Sequence, residues 1–245
     1  MMYVFFDGRT EDVTAIEAQY PLTCVEHASE IPDGELVLHI APEGISLSSG
    51  SLEMHGDFRT MLPRVGKLSQ EMLVKAVKPK NFPEGALAVD ATAGMGEDSF
   101  LLAAAGFRVK LFEYNPVIAM LLADSLRRGL EDEELAEIVG RMELVPGDSI
   151  GGISNMLEPI DLIYLDPMFP ERQKSGLIKK KFQLLQRLER PCDDEDALLN
   201  AAVAARPTKL IIKRPLKGPQ LAGLKPGYTI QGKAIRYDCF AFPRE

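Results

Sequence analysis

Ala88-Val89-Asp90-Ala91-Thr92-Ala93-Gly94-Met95-Gly96-Glu97-Asp98 reads as a buried strand ending on a carboxylate, then a glycine turn, then an acidic helix start. A second acid, Glu113, closes the next apolar run, Val109-Lys110-Leu111-Phe112. A third polar strand end, Asp166-Pro167-Met168-Phe169-Pro170, follows Leu162-Ile163-Tyr164-Leu165. Three strand ends with polar chemistry mark one edge of an open α/β sheet, the edge at which such sheets bind ligands.

Outward from this stretch the chain alternates strand and helix. Strands are expected at 86–90, 109–112, 142–145, 162–165 and 210–212, and helices at 100–105, 116–130 and 197–205. A further helix carries Leu177, Ile178, Leu184, Leu185 and Leu188 on its inner side, and runs at 228–231 and 235–242 form a terminal pair. This alternation implies a parallel sheet covered on both faces. Upstream, Met72, Leu73, Ala76 and Val77 recur at helical spacing, with Ser69 as the expected N-cap. Residues 1–60 differ: short apolar runs at 3–6, 36–40 and 45–47 alternate with Pro and Gly breaks such as Ile31-Pro32-Asp33-Gly34. That pattern predicts a small β-rich domain of hairpins over 1–60, followed by one α/β domain over 61–245.

Composition narrows the class. Hydrophobic residues make up 46% and charged residues 26% of the 245, as in an ordinary globular protein. No apolar run approaches the roughly 20 residues of a membrane span. The opening Met1-Met2-Tyr3-Val4-Phe5-Phe6-Asp7 lacks a basic region and cleavage site, so it reads as a first strand and not as a signal peptide. Cys24, Cys192 and Cys239 are widely spaced, which argues against disulfides or zinc and fits a reducing cytoplasm. His27, His39 and His55 offer no metal-ligand spacing, so no metal is expected. A net charge of −8 argues against whole-surface attraction to nucleic acid. A local basic stretch exists all the same, with Arg172, Lys174, Lys179, Lys180, Lys181, Arg187 and Arg190 against Glu171 and Glu189. It reads either as the solvated face of a helix or as a phosphate-facing stripe.

The turn motif has two readings. A dinucleotide site would place a third glycine where this chain has Ser99. Glu97 and Asp98 would repel a pyrophosphate but suit the α-amino group and sulfonium of S-adenosylmethionine. Asp90, Gly94, Gly96, Glu97 and Asp98 are therefore candidate cofactor residues, against the plainer reading of a simple βα turn. Glu113, 23 positions past Asp90, is suited to accept both ribose hydroxyls, and Tyr114 to border adenine. Asp148 and Ser149 follow another strand; they suit the adenine amino group, a helix N-cap, or both.

Asp166-Pro167-Met168-Phe169 resembles the (Asn/Asp)-Pro-Pro-(Tyr/Phe) motif of amino-group methyltransferases. The resemblance implies that the Asp166 side chain and the Pro167 carbonyl accept hydrogen bonds from the target amine while Phe169 stacks on the base. Met168 stands where the general motif has a second proline.

More of the chain is similar to the ribosomal RNA small-subunit methyltransferase J family, over roughly residues 55–245. The similarity rests on Val89–Asp98, Glu113-Tyr114-Asn115-Pro116-Val117, Tyr164–Pro170, Gln173-Lys174-Ser175, Lys179-Lys180 and Ile212-Lys213-Arg214-Pro215, and Met168 is itself a family feature. It implies an α/β, Rossmann-like, seven-stranded class I methyltransferase sheet with the final strand antiparallel. It also implies methylation of the exocyclic N2 amine of a guanine in bacterial 16S ribosomal RNA, free or in the 30S particle, without metal or covalent nucleophile. Cofactor contacts are then expected at Glu97, Asp98, Glu113, Tyr114, Asp148, Ser149 and Asp166, and RNA contacts at Arg172, Lys174, Lys179, Lys180 and Lys181. Glu97 and Tyr114 stand where family members often carry arginine. Two other readings remain open here: an amino-methyltransferase acting on adenine, cytosine or protein glutamine, and a binding module without turnover.

Overall fold

A computed structural model describes residues 1–167, 184, 187–188 and 194–242. The first sheet contains β1 (Met2–Phe6), β2 (Leu22–Val25), β3 (Leu36–Ala41), β4 (Gly44–Ser49) and β5 (Leu52–Met54), in the order β2-β1-β3-β4-β5. The second contains β6 (Leu87–Asp90), β7 (Arg108–Glu113), β8 (Met142–Pro146), β9 (Leu162–Leu165), β10 (Lys209–Pro215), β11 (Tyr228–Gln231) and β12 (Ile235–Ala241). The α-helices among the described residues are α1 (Thr14–Glu17), α2 (Leu62–Val65), α3 (Met72–Val77), α4 (Glu97–Ala104), α5 (Pro116–Leu130), α6 (Ala136–Val139), α7 (Ser149–Ser154) and α8 (Glu195–Ala204).

The five-stranded sheet corrects the expectation of hairpins alone. β3, β4 and β5 do form an antiparallel meander, but β1 pairs in parallel with both β2 and β3. The α1 crossover carries the chain back so that β2 starts at the same end as β1. Proline and glycine breaks mark where a chain turns, not the direction in which it returns. Burial alternates along β4, with Ile45, Leu47 and Ser49 inward, as in a sheet wet on one face. The inner face, with Val4, Leu38, Ile40 and Leu47, packs on Val117, Ile118 and Leu121 of α5. Leu122 and Leu126, on the same helix, enter a different cluster with Phe100, Val109 and Leu111. Helix α5 is thus buried on two sides and joins the two sheets.

The seven-stranded sheet has the order β11-β12-β10-β9-β6-β7-β8. Strands β6 to β10 run parallel to one another, and β12 is antiparallel to both β10 and β11. The β6 and β9 side chains are buried throughout, as central strands with both faces covered must be. One face packs on α3 and α4 through Leu73, Phe100 and Leu101, and the other on α7 and α8 through Ile153, Leu198 and Ala202. Among the described residues no helix is long and apolar enough to cross a membrane.

One helix start differs from expectation, and a second falls where the acidic start after the glycine turn places it. Ser69 lies in a 3-10 turn (Leu68–Gln70), and α3 begins only at Met72 because Glu71 is extended, with ψ 131. The Glu71 carboxylate is engaged by Arg64, at 3.0 Å from Nε and 2.6 Å from Nη2. Helix α4 starts at Glu97, earlier than periodicity alone suggests, because Gly96 sits at φ 76 and turns the chain straight into the helix. Glu97 and Asp98 then fall in the first turn, where the helix dipole favours negative charge. A Cβ on Gly96 would lie 2.8 Å from Leu122 Cδ1 and 3.3 Å from Phe58 Cζ. Gly96→Ala combines that crowding with left-handed backbone strain, and a loss of about 1–3 kcal/mol is expected in urea unfolding. A variant as stable as the parent would mean that the turn relaxes at no cost.

Candidate functional site

The C-terminal ends of β6, β7, β9 and β10 lie on one edge, where the chain runs outward from β6 to β7 and β8 and then crosses back to β9 and β10. That reversal of strand order opens a crevice at the edge of the sheet. The loop after β6 is stitched to both neighbours. Ala91 N–H donates to the Tyr164 carbonyl at 3.1 Å, and Ala93 N–H to the Phe112 carbonyl at 3.0 Å. The Asp166 N–H donates to Thr92 Oγ1 at 2.7 Å, fixing the start of the Asp166-Pro167 segment against the glycine turn.

Asp90 is 1% exposed and points inward. Its carboxylate accepts from Ser99 Oγ at 2.6 Å and from Thr92 N–H at 3.0 Å, so it organises the turn and the first turn of α4. Burial pushes its carboxyl up to about 7, against the pull of those two donors. Gly94 has φ 55, and nothing lies within 4 Å of the place a Cβ would take. Its N–H donates to Glu113 Oε2 at 2.8 Å, while Glu113 Oε1 accepts from Asn115 N–H at 2.8 Å. Burial raises the Glu113 pKa, with these backbone donors opposing it. Tyr114 is exposed beside it. Asp148 caps α7, accepting from Ile150 N–H at 3.2 Å and Gly151 N–H at 3.0 Å, and Ser149 is buried behind it.

Asp98 and Asp166 meet through a residue that the motif reading did not single out. Lys213 Nζ, on β10, lies 2.7 Å from Asp98 Oδ2 and 2.9 Å from Asp166 Oδ2. Tyr164 Oη donates to the same Asp98 oxygen at 2.6 Å. Burial works against charge on Asp98, yet Lys213 and Tyr164 outweigh it and hold the carboxyl below its usual range. Burial likewise opposes the Lys213 ammonium, and the two carboxylates more than compensate, raising its pKa. Lys213 follows the apolar run Leu210-Ile211-Ile212, so the rule that flags a polar strand end at Asp90 and Glu113 finds it too.

Asn115, part of the Glu113–Val117 string but given no role by it, is a second such residue. Its Oδ1 caps α5, and its Nδ2 donates to Tyr20 Oη at 2.6 Å and to the Leu188 carbonyl at 2.9 Å. This joins the first sheet's neighbourhood to the chain beyond Asp166, directly behind Glu113. Phe169 and the basic residues Arg172, Lys174, Lys179, Lys180 and Lys181 lie outside the described residues.

The crevice fits S-adenosylmethionine: an open left-handed glycine, a pinned strand-end carboxylate and more acids than bases around the strand ends, a balance that suits a ligand carrying a sulfonium. Together with the strand order, this edge defines a class I S-adenosylmethionine-dependent methyltransferase. The chain matches, over residues 35–242, the family described as "Putative SAM-dependent methyltransferase". It belongs to the ribosomal RNA small subunit methyltransferase J family. The protein of that name from Pseudomonas fluorescens (strain Pf0-1) is 38% identical over 222 residues, covering 86% of this chain and 84% of its own. That from Pseudomonas syringae pv. tomato is 38% identical over 219 residues, covering 85% and 80%. A crystal structure of a SAM-dependent methyltransferase from Neisseria gonorrhoeae superposes with a TM-score of 0.73 at 28% identity, over 98% of this chain and 95% of that one. The family match reaches back to residue 35, well inside the first sheet, further than the motifs alone suggest.

Proposed function

We propose that this enzyme methylates the exocyclic N2 amine of a guanine in small-subunit ribosomal RNA, in the cytoplasm. The observation that carries this reading is the seating of Asp166-Pro167 at the end of β9, tied to the glycine turn through Thr92. Gly94 lets the backbone approach the cofactor closely while Gly96 turns the chain into α4 behind it, Glu113 accepts the ribose hydroxyls, and Tyr114, Asp148 and Ser149 border the adenine. Asp90 supports this set from beneath by holding Thr92 and Ser99. Bound there, S-adenosylmethionine supplies an electrophilic methyl group. Asp166 and the Pro167 carbonyl accept from the amine and aim its lone pair, the positioning on which such a transfer depends. Phe169 stacks on the flipped base, and Arg172, Lys174, Lys179, Lys180 and Lys181 hold RNA phosphates. As the methyl group is transferred and the sulfonium becomes a neutral thioether, the proton lost by nitrogen passes to water, with Asp166 left as the carboxylate that orients the amine.

The names of the relatives support small-subunit ribosomal RNA as substrate. The test uses 30S particles and naked 16S RNA lacking the modification, labelled methyl donor, and digestion of the product to nucleosides. Label in N2-methylguanosine is the expected outcome. Label on another base or on protein replaces guanine as the target, and no label on any of these substrates leaves the chain a binding module.

A further inference from the structure

At the end of β9 one ammonium, that of Lys213, is shared by two carboxylates. Lys213 and Asp98 each keep only 18% of their side-chain surface exposed, and Asp166 keeps 26%. An ammonium has three donors and no acceptor, and two of them are used here on oxygens from different elements, α4 and β9's end. Had Lys213 paired with Asp166 alone, the two charges would cancel. With Asp98 present the group of three carries one net negative charge, which suits a cationic cofactor and a nitrogen that becomes positive as it is methylated. Buried Ile211 and Ile212 hold the Lys213 backbone, and the Tyr164 hydroxyl donates to the same Asp98 oxygen that Lys213 engages. Both anchors come from the sheet core, so the arrangement is set before any substrate arrives.

We propose that Lys213 is a positioning residue for methyl transfer: by tying the Asp166 carboxylate to Asp98, it fixes that carboxylate as an anion, in one orientation, for the incoming amine. This rests on the reading of Asp166 as the group that orients the amine. A carboxylate has about four lone-pair sites, so the Lys213 contact on Oδ2 does not exhaust its capacity to accept. The charged and titratable groups around Asp166 are Asp98 of α4, Lys213 and Arg214 of β10, Asp90 of β6, Tyr164 of β9 and Tyr237 of β12, with Arg64 facing Asp98. Both tyrosines are held well above their ordinary pKa by burial and neighbouring acids and stay neutral, so Lys213 is the cation in direct contact with both carboxylates among the described residues.

The experiment compares Lys213→Met, Asp98→Asn and Asp166→Ala with the parent, as full chains. Two quantities are followed against pH: kcat and KM for methyl transfer to the RNA substrate, and the titration of the isotope-labelled Asp166 carboxyl carbon by NMR. Removing the ammonium disfavours the Asp166 anion. Lys213→Met therefore moves the acid limb of kcat and the Asp166 midpoint upward together by about one pH unit or more, with kcat at neutral pH down about tenfold and KM little changed. Asp98→Asn leaves Lys213 to Asp166 alone and moves both quantities downward. Opposite shifts from two substitutions in one cluster are not produced by simple loss of packing, and Asp98→Asn carries the test if Lys213→Met does not fold. Unmoved midpoints in the folded variants, or an activity loss equal at every pH, overturn the proposal. Full activity in Asp166→Ala overturns instead the reading of Asp166 on which it rests.

Discussion

Asp166→Ala is expected to lower methyl transfer by about 100-fold or more, because orientation of a weakly basic amine is the contribution asked of this carboxylate. The substitution isolates the side chain cleanly. The main-chain tie from the Asp166 N–H to Thr92 Oγ1 survives, so the loop keeps its path. Lys213 retains Asp98 at 2.7 Å, so no buried ammonium is left unpaired and the melting temperature changes little. Asp166→Asn loses activity as well, although it preserves shape. The Lys213 ammonium takes the amide oxygen, and the NH2 group is then turned toward the substrate amine, donor against donor. Single-turnover transfer of labelled methyl, with cofactor affinity measured in parallel, checks both variants. Turnover within a few-fold of the parent in Asp166→Ala would remove Asp166 from the mechanism.

The largest effect on stability is expected far from the crevice. Asp124, on α5, has a fully buried carboxylate that gathers four donors. Its Oδ1 accepts from Arg9 Nη1 at 2.8 Å and Arg127 Nη2 at 3.0 Å, and its Oδ2 from Arg128 Nε at 2.8 Å and Ile45 N–H at 3.0 Å. Arg9 and Ile45 belong to the first sheet and its connections, so one side chain pins that sheet to the helix it packs on. Asp124→Ala takes the shared carboxylate from three guanidiniums, which keep only Glu11, Glu131 and the Gly56 carbonyl, and from the buried Ile45 N–H. Removing one member of a buried ion pair costs about 3–5 kcal/mol, and the partial exposure of the arginines puts this case near 3 kcal/mol. Urea unfolding measures it, and a loss below about 1 kcal/mol would mean that water replaces the carboxylate at little cost.

The same group sets an acid limit. Burial opposes ionisation of Asp124, and Arg128, Arg9, Ile45 and Arg127 overcome it, holding the carboxyl at about 2 against an ordinary 3.8. The folded pKa is the lower one, so the associated stability, about 2 kcal/mol, is fully present above the ordinary value and is lost as pH falls toward 2. Asp124→Asn removes that part of the acid dependence.

Strand ends and periodicity suffice to find the β6, β7 and β9 edge, the terminal antiparallel pair and helix α5. Each depends on side chains near in sequence and on a single rule of burial. What escaped depends on partners distant in the chain. The parallel pairing of β1 with β2 is decided by a crossover, not by alternation. The late start of α3 reflects Arg64 holding Glu71. Asp124 looks like one more helix acid until Arg9 and Ile45, far away in sequence, converge on it. At the candidate site, the strand-end placement of Asp90, Glu113 and Asp166 is recognisable from position alone. That Asp90 faces inward on Ser99, and that Asp98 is engaged by Tyr164 and Lys213, follows only from the packing of α4 against β9 and β10.

The threading of β12 between β10 and β11 has a consequence for synthesis. Strand β10 pairs over its whole length with a strand made after β11, and β11 has β12 as its partner in the sheet. Until residues 235–241 have emerged from the ribosome, the outer edge of β10 presents unpaired backbone groups, and β11 has no strand to pair with. A nascent chain at that stage carries an open template for pairing with other chains, so the last-threaded strand is also the one that closes the window for aggregation.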